Sequence, residues 1–453
     1  MSSDDLAERD RRHCWHPFTQ AATAVAPLTI VRGAGAYLYD SAGREYLDAA
    51  SSWWVNLHGH GHPAIAGAIA HQAHTLEHTM FAGITHPPAV ALAERLAQLA
   101  PGDLQYTFFS DNGSTAVEVA VKIACQYWLN RGTPRRRLLA FAGGYHGDTF
   151  GAMAVGRSSG FYTPFAPWLF DVDFVPYAAT WQGQNPTATE NAALTALDQH
   201  LAAHADDTAA FVFEPVMQGA AGMRLARPAF VRQVVARCRA AGLLIIADEV
   251  MTGFGRTGPL FACAALGDLT PDLLCLSKGL TGGFLPMGAT LATTAIHEAF
   301  AGPDMRSAFL HGHSYTANPL GCAAALASLA LSTATACHDA RQALNSVHRQ
   351  ETARLQQHPA IEKIRICGTI AAFDIKTADR HYGSAFSQTL RLAFQSRGIL
   401  VRPLNNTLYF MPPYCTTAEQ LIALYRLVPE VLEGLPHAEN ARSDSPAGTG
   451  ELF

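Results

Sequence analysis

Residues 243–256 read LLIIADEVMTGFGR, an unbroken apolar run that stops on Asp248 and Glu249. A run that is apolar at every position, with no alternation, reads as a strand buried on both faces. Four other short apolar runs match it: Tyr106–Ser110, 138–142, 211–215 and 273–277. Helical periodicity lies between them, as in 228–241. Strand and helix in alternation imply an α/β fold, with a mostly parallel sheet covered by helices on both faces. In such a sheet ligands sit beyond the carboxyl ends of the strands, which gives weight to polar residues just after the apolar runs.

Working outward from this core, residues 29–48 alternate around the turn Asp40-Ser41-Ala42-Gly43 and predict a β-hairpin. Helices follow, with Ile65, Ile69 and Leu76 on one face, then Leu92, Leu96 and Leu99. After residue 320 the texture changes. A long helix (319–356), strands (364–375), a helix (384–397), further strands (399–411) and a last helix (417–433) predict a self-contained α+β unit. The expected organisation is therefore a segment 1–60 that joins the smaller domain and the active site, and a large domain 61–320. A smaller α+β domain 321–436 and a disordered polar tail 437–453 complete it.

At 453 residues the chain is long for one compact core. A net charge of -5 without a basic block argues against nucleic acid or an anionic membrane as partner. The triplet Arg135, Arg136, Arg137 reads as a solvated loop. Nine scattered cysteines without a CxxC pair read as reduced thiols of a cytoplasmic protein. Residues 1–12 are charged, without the apolar core of a secretory signal, and no apolar run reaches the ~18 residues of a membrane span.

Three strand ends carry chemistry. Asp248 ends one run, Lys278 follows another in LLCLSK, and Gly113-Ser114 follows FFSDN at the start of a helix. Each alone is commonplace. Together they offer a helix N-terminus to a phosphate, a desolvated lysine able to form an imine with an aldehyde, and a carboxylate for a pyridine nitrogen. Those are the needs of pyridoxal phosphate, and Tyr145 in GGYHGDT supplies an aromatic face at another strand end.

The stretches ADEVMTGFGRTG, LSKGLTGG, GGYHGDT and HGHSYTANPLGC resemble the class III aminotransferases of pyridoxal-phosphate fold type I, over about residues 13–434. The resemblance implies an aspartate-aminotransferase-like fold: a mostly parallel seven-stranded sheet in the large domain, and a smaller α+β domain. More narrowly, WHPFTQ, SSWWVNLHGH, ITHPPAV, SDNGSTAVEVAVK and RPLNNTLYFMPPY resemble the biotin-pathway branch of that family. That branch converts 8-amino-7-oxononanoate to 7,8-diaminononanoate in two half-reactions, with S-adenosylmethionine as the usual amino donor. It implies a homodimer with an active site shared across the interface.

By the same resemblance, Lys278 holds the cofactor and shuttles the proton, Asp248 partners the pyridine nitrogen, and Tyr145 stacks on the ring. Gly113 and Ser114 cup the phosphate, with Ser314 reaching it from the neighbouring subunit beside His313. Trp53, Trp54, Asp148, Arg256, Gly312 and Tyr409 are implied to line the substrate pocket, with Arg402 on the substrate carboxylate. Phe18 stands where the adenosylmethionine-using enzymes typically carry Tyr; Phe keeps the stacking surface and loses a hydroxyl. Lysine is therefore the alternative donor, and a general ω-aminotransferase the alternative enzyme. A transcription regulator on this fold is disfavoured, because the ~28 residues before the hairpin cannot hold a DNA-binding module.

His58, His60 and His62 alternate without a carboxylate or Cys beside them, so an active-site loop is preferred to a metal site. Trp53 and Trp54 would face opposite sides if their stretch is extended.

Overall fold

The computed structural model describes residues 3–380 and 383–435, so the tail 437–453 lies outside the described residues. Its centre is a seven-stranded sheet. In spatial order the strands are Tyr106–Ser110, Gly288–Ala292, Leu273–Leu276, Leu244–Asp248, Thr208–Phe213, Arg137–Phe141 and Asp173–Val175. All run parallel except Gly288–Ala292, which is antiparallel to both neighbours. The strands Leu244–Asp248 and Thr208–Phe213 are buried at every residue, as their continuous apolar runs require.

Two of these strands escape a reading of apolar runs. Asp173–Val175 has only three residues, and Gly288–Ala292 (GATLA) lacks the bulky side chains that mark a strand. Both are defined by pairing with a neighbour.

The predicted hairpin is part of a larger sheet. Tyr37–Asp40 and Glu45–Asp48 form it, Ile30–Ala34 adds on one side, and Ile399–Leu400 pairs in parallel with Glu45–Asp48 on the other. The C-terminal unit is therefore not self-contained. The amides of Met411 and Tyr414 also donate to the carbonyls of Ala49 (2.8 Å) and Leu57 (2.7 Å). The expected strand region 399–411 splits in two, since Thr407–Phe410 instead joins Ile361–Cys367 and Ile370–Ile375.

The long helix expected over 319–356 is two, Pro319–Ser332 and Thr335–Leu355, bent by 66°. Ala334 is extended at the break, and the Arg341 guanidinium reaches back to the Ser332 carbonyl (3.2 Å), satisfying a helix-end acceptor. The arginine triplet is no simple solvated loop either. Arg135 donates to the carbonyls of Ala205, Thr208 and Gly242 and lies 3.6 Å from the Trp128 ring centre, while Arg137 pairs with Asp173.

The turn at Gly368 fixes how the two parts meet. Its φ is +58°, and a Cβ there would lie 2.3–2.4 Å from backbone atoms of Arg256, Thr257 and Gly258. Gly43, at φ +81°, faces open space. Gly43→Ala is expected to cost about 1 kcal/mol, the left-handed penalty alone. Gly368→Ala adds a backbone clash and should cost roughly 3 kcal/mol or more. Thermal unfolding of the two variants checks the contrast.

Candidate active site

The polar residues that follow the apolar strands converge on a cavity of about 660 Å³ at the carboxyl edge of the sheet. Lys278 enters it from the turn after Leu273–Leu276, with a left-handed φ of +44°. That conformation is costly for a residue with a Cβ and persists where its surroundings over-determine it. Its Nζ lies 5.0 Å from the Trp54 ring centre. Burial lowers the lysine's pKa, against the pull of Asp248, Glu214 and Asp148. More of it is thereby an uncharged amine at neutral pH than of a surface lysine.

Asp248, at the tip of the central strand, is buried. Its Oδ2 meets His146 Nδ1 at 2.7 Å, and its Oδ1 accepts from the Val250 amide at 3.0 Å. Burial alone would lower the His146 pKa; the hydrogen bond and charge of Asp248, with Glu214 adding, outweigh it and raise it. Glu214, just past Thr208–Phe213, accepts from the amides of Tyr145 (3.2 Å) and Gly219 (2.9 Å). Burial lifts its pKa to about 7, with His146 opposing. Glu249, beside Asp248 in sequence, turns the other way and accepts from the Ala262 and Cys263 amides.

Opposite the carboxylates, the helix Gly113–Asn130 points its N-terminus into the cavity. Asn112 and Thr115 form a capping box, which occupies the Thr115 amide and leaves the first amides facing the cavity. Ser114 Oγ accepts from the Thr149 amide and shares a hydrogen bond with Thr149 Oγ1, both at 2.8 Å. A phosphate fits this helix start, a pyridine nitrogen fits Asp248, and an aldehyde carbon fits Lys278. The Tyr145 ring lies near parallel to Tyr162, 6.1 Å between centres. The donor set is that of a pyridoxal phosphate site.

A second cavity, of about 410 Å³, holds Phe18 and Arg402. Between the two stands the tryptophan pair. Residues 51–54 are not extended: φ is +48°, +46°, +67° and +76°, a left-handed run without glycine. Ser51 Oγ donates to the Met411 carbonyl (2.6 Å) and Ser52 Oγ to Asp48 (2.7 Å), which hold it in place. Trp54 is buried against Lys278. Trp53 is half-exposed, with the Arg402 guanidinium 4.0 Å from its ring centre and Phe18 edge-on at 5.6 Å.

The structure thus gathers Lys278, Asp248, Tyr145, Gly113, Ser114, Asp148 and Trp54 at one cavity, and Phe18, Trp53 and Arg402 around the other. Two expected pocket residues lie outside the lining of both cavities. Arg256 is fully buried, donating to the carbonyls of Pro412 (2.8 Å) and Asn56 (2.9 Å). Tyr409 lies behind the wall, its hydroxyl accepting from Trp54 Nε1 at 2.8 Å. Gly312, His313 and Ser314 sit outside both cavities of their own chain, on an exposed segment. The three histidines line neither cavity. His58 packs against the hydroxyls of Ser328 and Ser332, with burial pushing its pKa to about 3, and His60 meets Asp48 at 3.0 Å.

His146, Glu214 and Thr149 went unpredicted. His146 and Thr149 lie inside the motif GGYHGDT that drew attention to Tyr145, so position after a strand was signal enough for both. Glu214 also follows a strand, but nothing in its spacing tells of Asp248.

Two tests follow from this geometry. Lys278→Ala, saturated with pyridoxal phosphate, should lose the visible absorbance of lysine-linked cofactor; a retained band would remove Lys278 from the role. Glu214 is held more protonated folded than unfolded, so its contribution to stability falls as pH rises from about 4.5 to about 7. Glu214→Gln lacks this loss. The melting temperature of the cofactor-free variant, relative to wild type, should therefore climb between pH 5 and pH 8.

Comparison with known proteins agrees with the site. The adenosylmethionine-8-amino-7-oxononanoate aminotransferase of Synechococcus elongatus is 52% identical over 422 residues, covering 93% of this chain and 98% of its own. The enzyme of that name from Geobacter sulfurreducens is 40% identical over 431 residues, covering 92% and 94%. Among solved structures, the Methanocaldococcus jannaschii enzyme of that name superposes with a TM-score of 0.87 at 32% identity, over 95% of this chain and 99% of its own. A PLP-bound amine transaminase from an uncultivated Pseudomonas species gives 0.85 at 30%, over 93% and 98%. The aminotransferase class-III family model matches residues 19–432, and with that span and these relatives the chain belongs to the class III aminotransferases.

Proposed function

We propose that this pyridoxal-phosphate enzyme transfers an amino group from S-adenosylmethionine to 8-amino-7-oxononanoate, giving 7,8-diaminononanoate for biotin synthesis. The carrying observation is Arg402 stacked on Trp53, one residue from the Trp54 that faces Lys278. A guanidinium held by an aromatic face meets a carboxylate in a fixed geometry, at the far side of the wall from the reacting amine. The names carried by the relatives at 52% and 40% identity support the same substrates.

Bound pyridoxal phosphate supplies an aldehyde carbon that exchanges its oxygen for an amino nitrogen, and a ring that withdraws electrons from the carbon bearing that nitrogen. Asp248, hydrogen-bonded to His146, would hold the ring nitrogen. The amides at the start of Gly113–Asn130 and the Ser114 hydroxyl fix the phosphate end. Lys278 Nζ, with its lowered pKa, takes and returns the proton at the substrate carbon. Trp54 and Tyr145 exclude water from that exchange. Phe18 and Trp53 form an exposed edge-to-face pair on which a flat base can stack.

The enzyme is proposed to act as a homodimer in the cytoplasm, where its nine free thiols stay reduced. Met305, Leu310 and Tyr315 are 64–70% exposed on the segment that carries Gly312, His313 and Ser314. Such an apolar exterior suits a second copy, and would direct Ser314 to the partner's phosphate end.

A half-reaction assay tests the reading. Adenosylmethionine and lysine are mixed separately with the enzyme while the cofactor absorbance is followed, and the amino-oxo acid is then added. Adenosylmethionine should bleach the band and the acid restore it. Bleaching by lysine alone would transfer the donor role to lysine. If neither bleaches and the acid restores nothing, the biotin-pathway assignment fails.

A further inference from the structure

Thr149 stands just before the helix Phe150–Gly156, where a threonine hydroxyl ordinarily accepts from an amide of the first turn. Here it makes no such bond. The Gly151 amide of that turn goes instead to Glu118 Oε1, on the helix Gly113–Asn130, at 3.0 Å. The Thr149 side chain is left to turn toward Ser114. Its Oγ1 lies 2.8 Å from Ser114 Oγ, and the Thr149 amide donates to the same oxygen, also at 2.8 Å. Gly147 lets the two segments come this close, since a Cβ there would overlap the Ser114 side chain. Both Ser114 and Thr149 line the cavity that holds Lys278.

A serine hydroxyl has one proton to give and two lone pairs to receive. The Thr149 amide can only donate, so it fills one lone pair of Ser114 Oγ. The contact between the two hydroxyls can run either way, and its direction decides what Ser114 offers to the cavity. With Ser114 as donor, its proton is committed to Thr149 and a bare lone pair faces the phosphate, which repels an anion. With Thr149 as donor, both lone pairs are filled and the Ser114 proton is free for a phosphate oxygen. A phosphate monoester carries close to two negative charges at neutral pH and selects the second arrangement. Donors in series also polarise one another, which strengthens the last bond of the chain.

We infer that Thr149 is a positioning residue for the cofactor: by donating to Ser114 Oγ it aims the serine proton at the phosphate, without a contact of its own to the phosphate. The inference rests on the reading that the phosphate sits at the start of Gly113–Asn130. It is independent of which amine and which keto acid the enzyme uses. Thr149 thus acts through its hydroxyl, and its methyl group is dispensable.

The test titrates the full-length enzyme, stripped of cofactor, with pyridoxal phosphate and with pyridoxal, which has the same aldehyde and no phosphate. The visible absorbance of lysine-linked cofactor reports binding. Thr149→Val keeps the amide and the shape and removes the hydroxyl; Thr149→Ala does the same with less bulk, should the valine fail to fold. Either is expected to weaken pyridoxal phosphate roughly fivefold, the size of one neutral hydrogen bond, and to leave pyridoxal unchanged. Thr149→Ser should bind both like the wild type. Ser114→Ala should weaken the phosphate form roughly tenfold or more, as for a hydrogen bond to a charged group. Adding Thr149→Val to Ser114→Ala should then cost nothing further, because the two residues act as one unit. Unchanged affinity in Thr149→Val would overturn the proposal. So would equal losses for pyridoxal, which mark a packing role, or a further loss in the double variant, which marks a direct phosphate contact. If Ser114→Ala itself leaves the phosphate form unaffected, the placement of the phosphate at this helix fails, and the role of Thr149 with it.

Discussion

A chain that buries Asp248, Glu214, His146 and Lys278 around one space must balance their charges within that space, because water is excluded from most of it. Desolvation penalises the ionised form of each group, and only neighbours of opposite sign restore it. The 2.7 Å contact between His146 and Asp248 is the tightest expression of this constraint. It ties the carboxylate at the tip of a wholly apolar strand to an imidazole whose own pKa it raises. Glu214 is pushed toward neutrality by burial, with His146 opposing.

The second constraint is mechanical. Four consecutive residues, Ser51 to Trp54, are left-handed without a glycine among them, at about 1–2 kcal/mol each. The run is held from both sides, by the Met411 carbonyl, the Tyr409 hydroxyl and Asp48. It places two adjacent indoles against two different cations, Lys278 and Arg402. Strain here has a product: a wall one residue thick between Lys278 and Arg402. It also ties the N-terminal segment to the C-terminal strands, as does the parallel pairing of Ile399–Leu400 with Glu45–Asp48.

Arg256 shows how much of a motif residue's setting is tertiary. It lies in GFGRTG, shortly after Asp248 in sequence, and the family resemblance implies a pocket residue there. The structure spends it on the carbonyls of Asn56 and Pro412, bracing the segments that bear the tryptophans and the terminal strands. Its influence on the site is positional. Gly312, His313 and Ser314 are the opposite case: motif residues on an exposed exterior, outside both cavities of their own chain.

By itself, the sequence determined the parallel core, through apolar runs that leave no polar face, and it marked Asp248, Lys278, Gly113, Ser114 and Tyr145, because each follows a strand or begins a helix. Those are local signals, carried by neighbours in the chain. Tertiary structure alone decided the rest. The strands Asp173–Val175 and Gly288–Ala292 exist through their partners, and the helix expected over 319–356 breaks where the Arg341 side chain folds back on Ser332. His146 takes its raised pKa from Asp248, about 100 residues away in the chain, and Glu214 its own from burial among residues distant in sequence. Electrostatic coupling depends on distance in space and on burial, and neither is written in the order of residues.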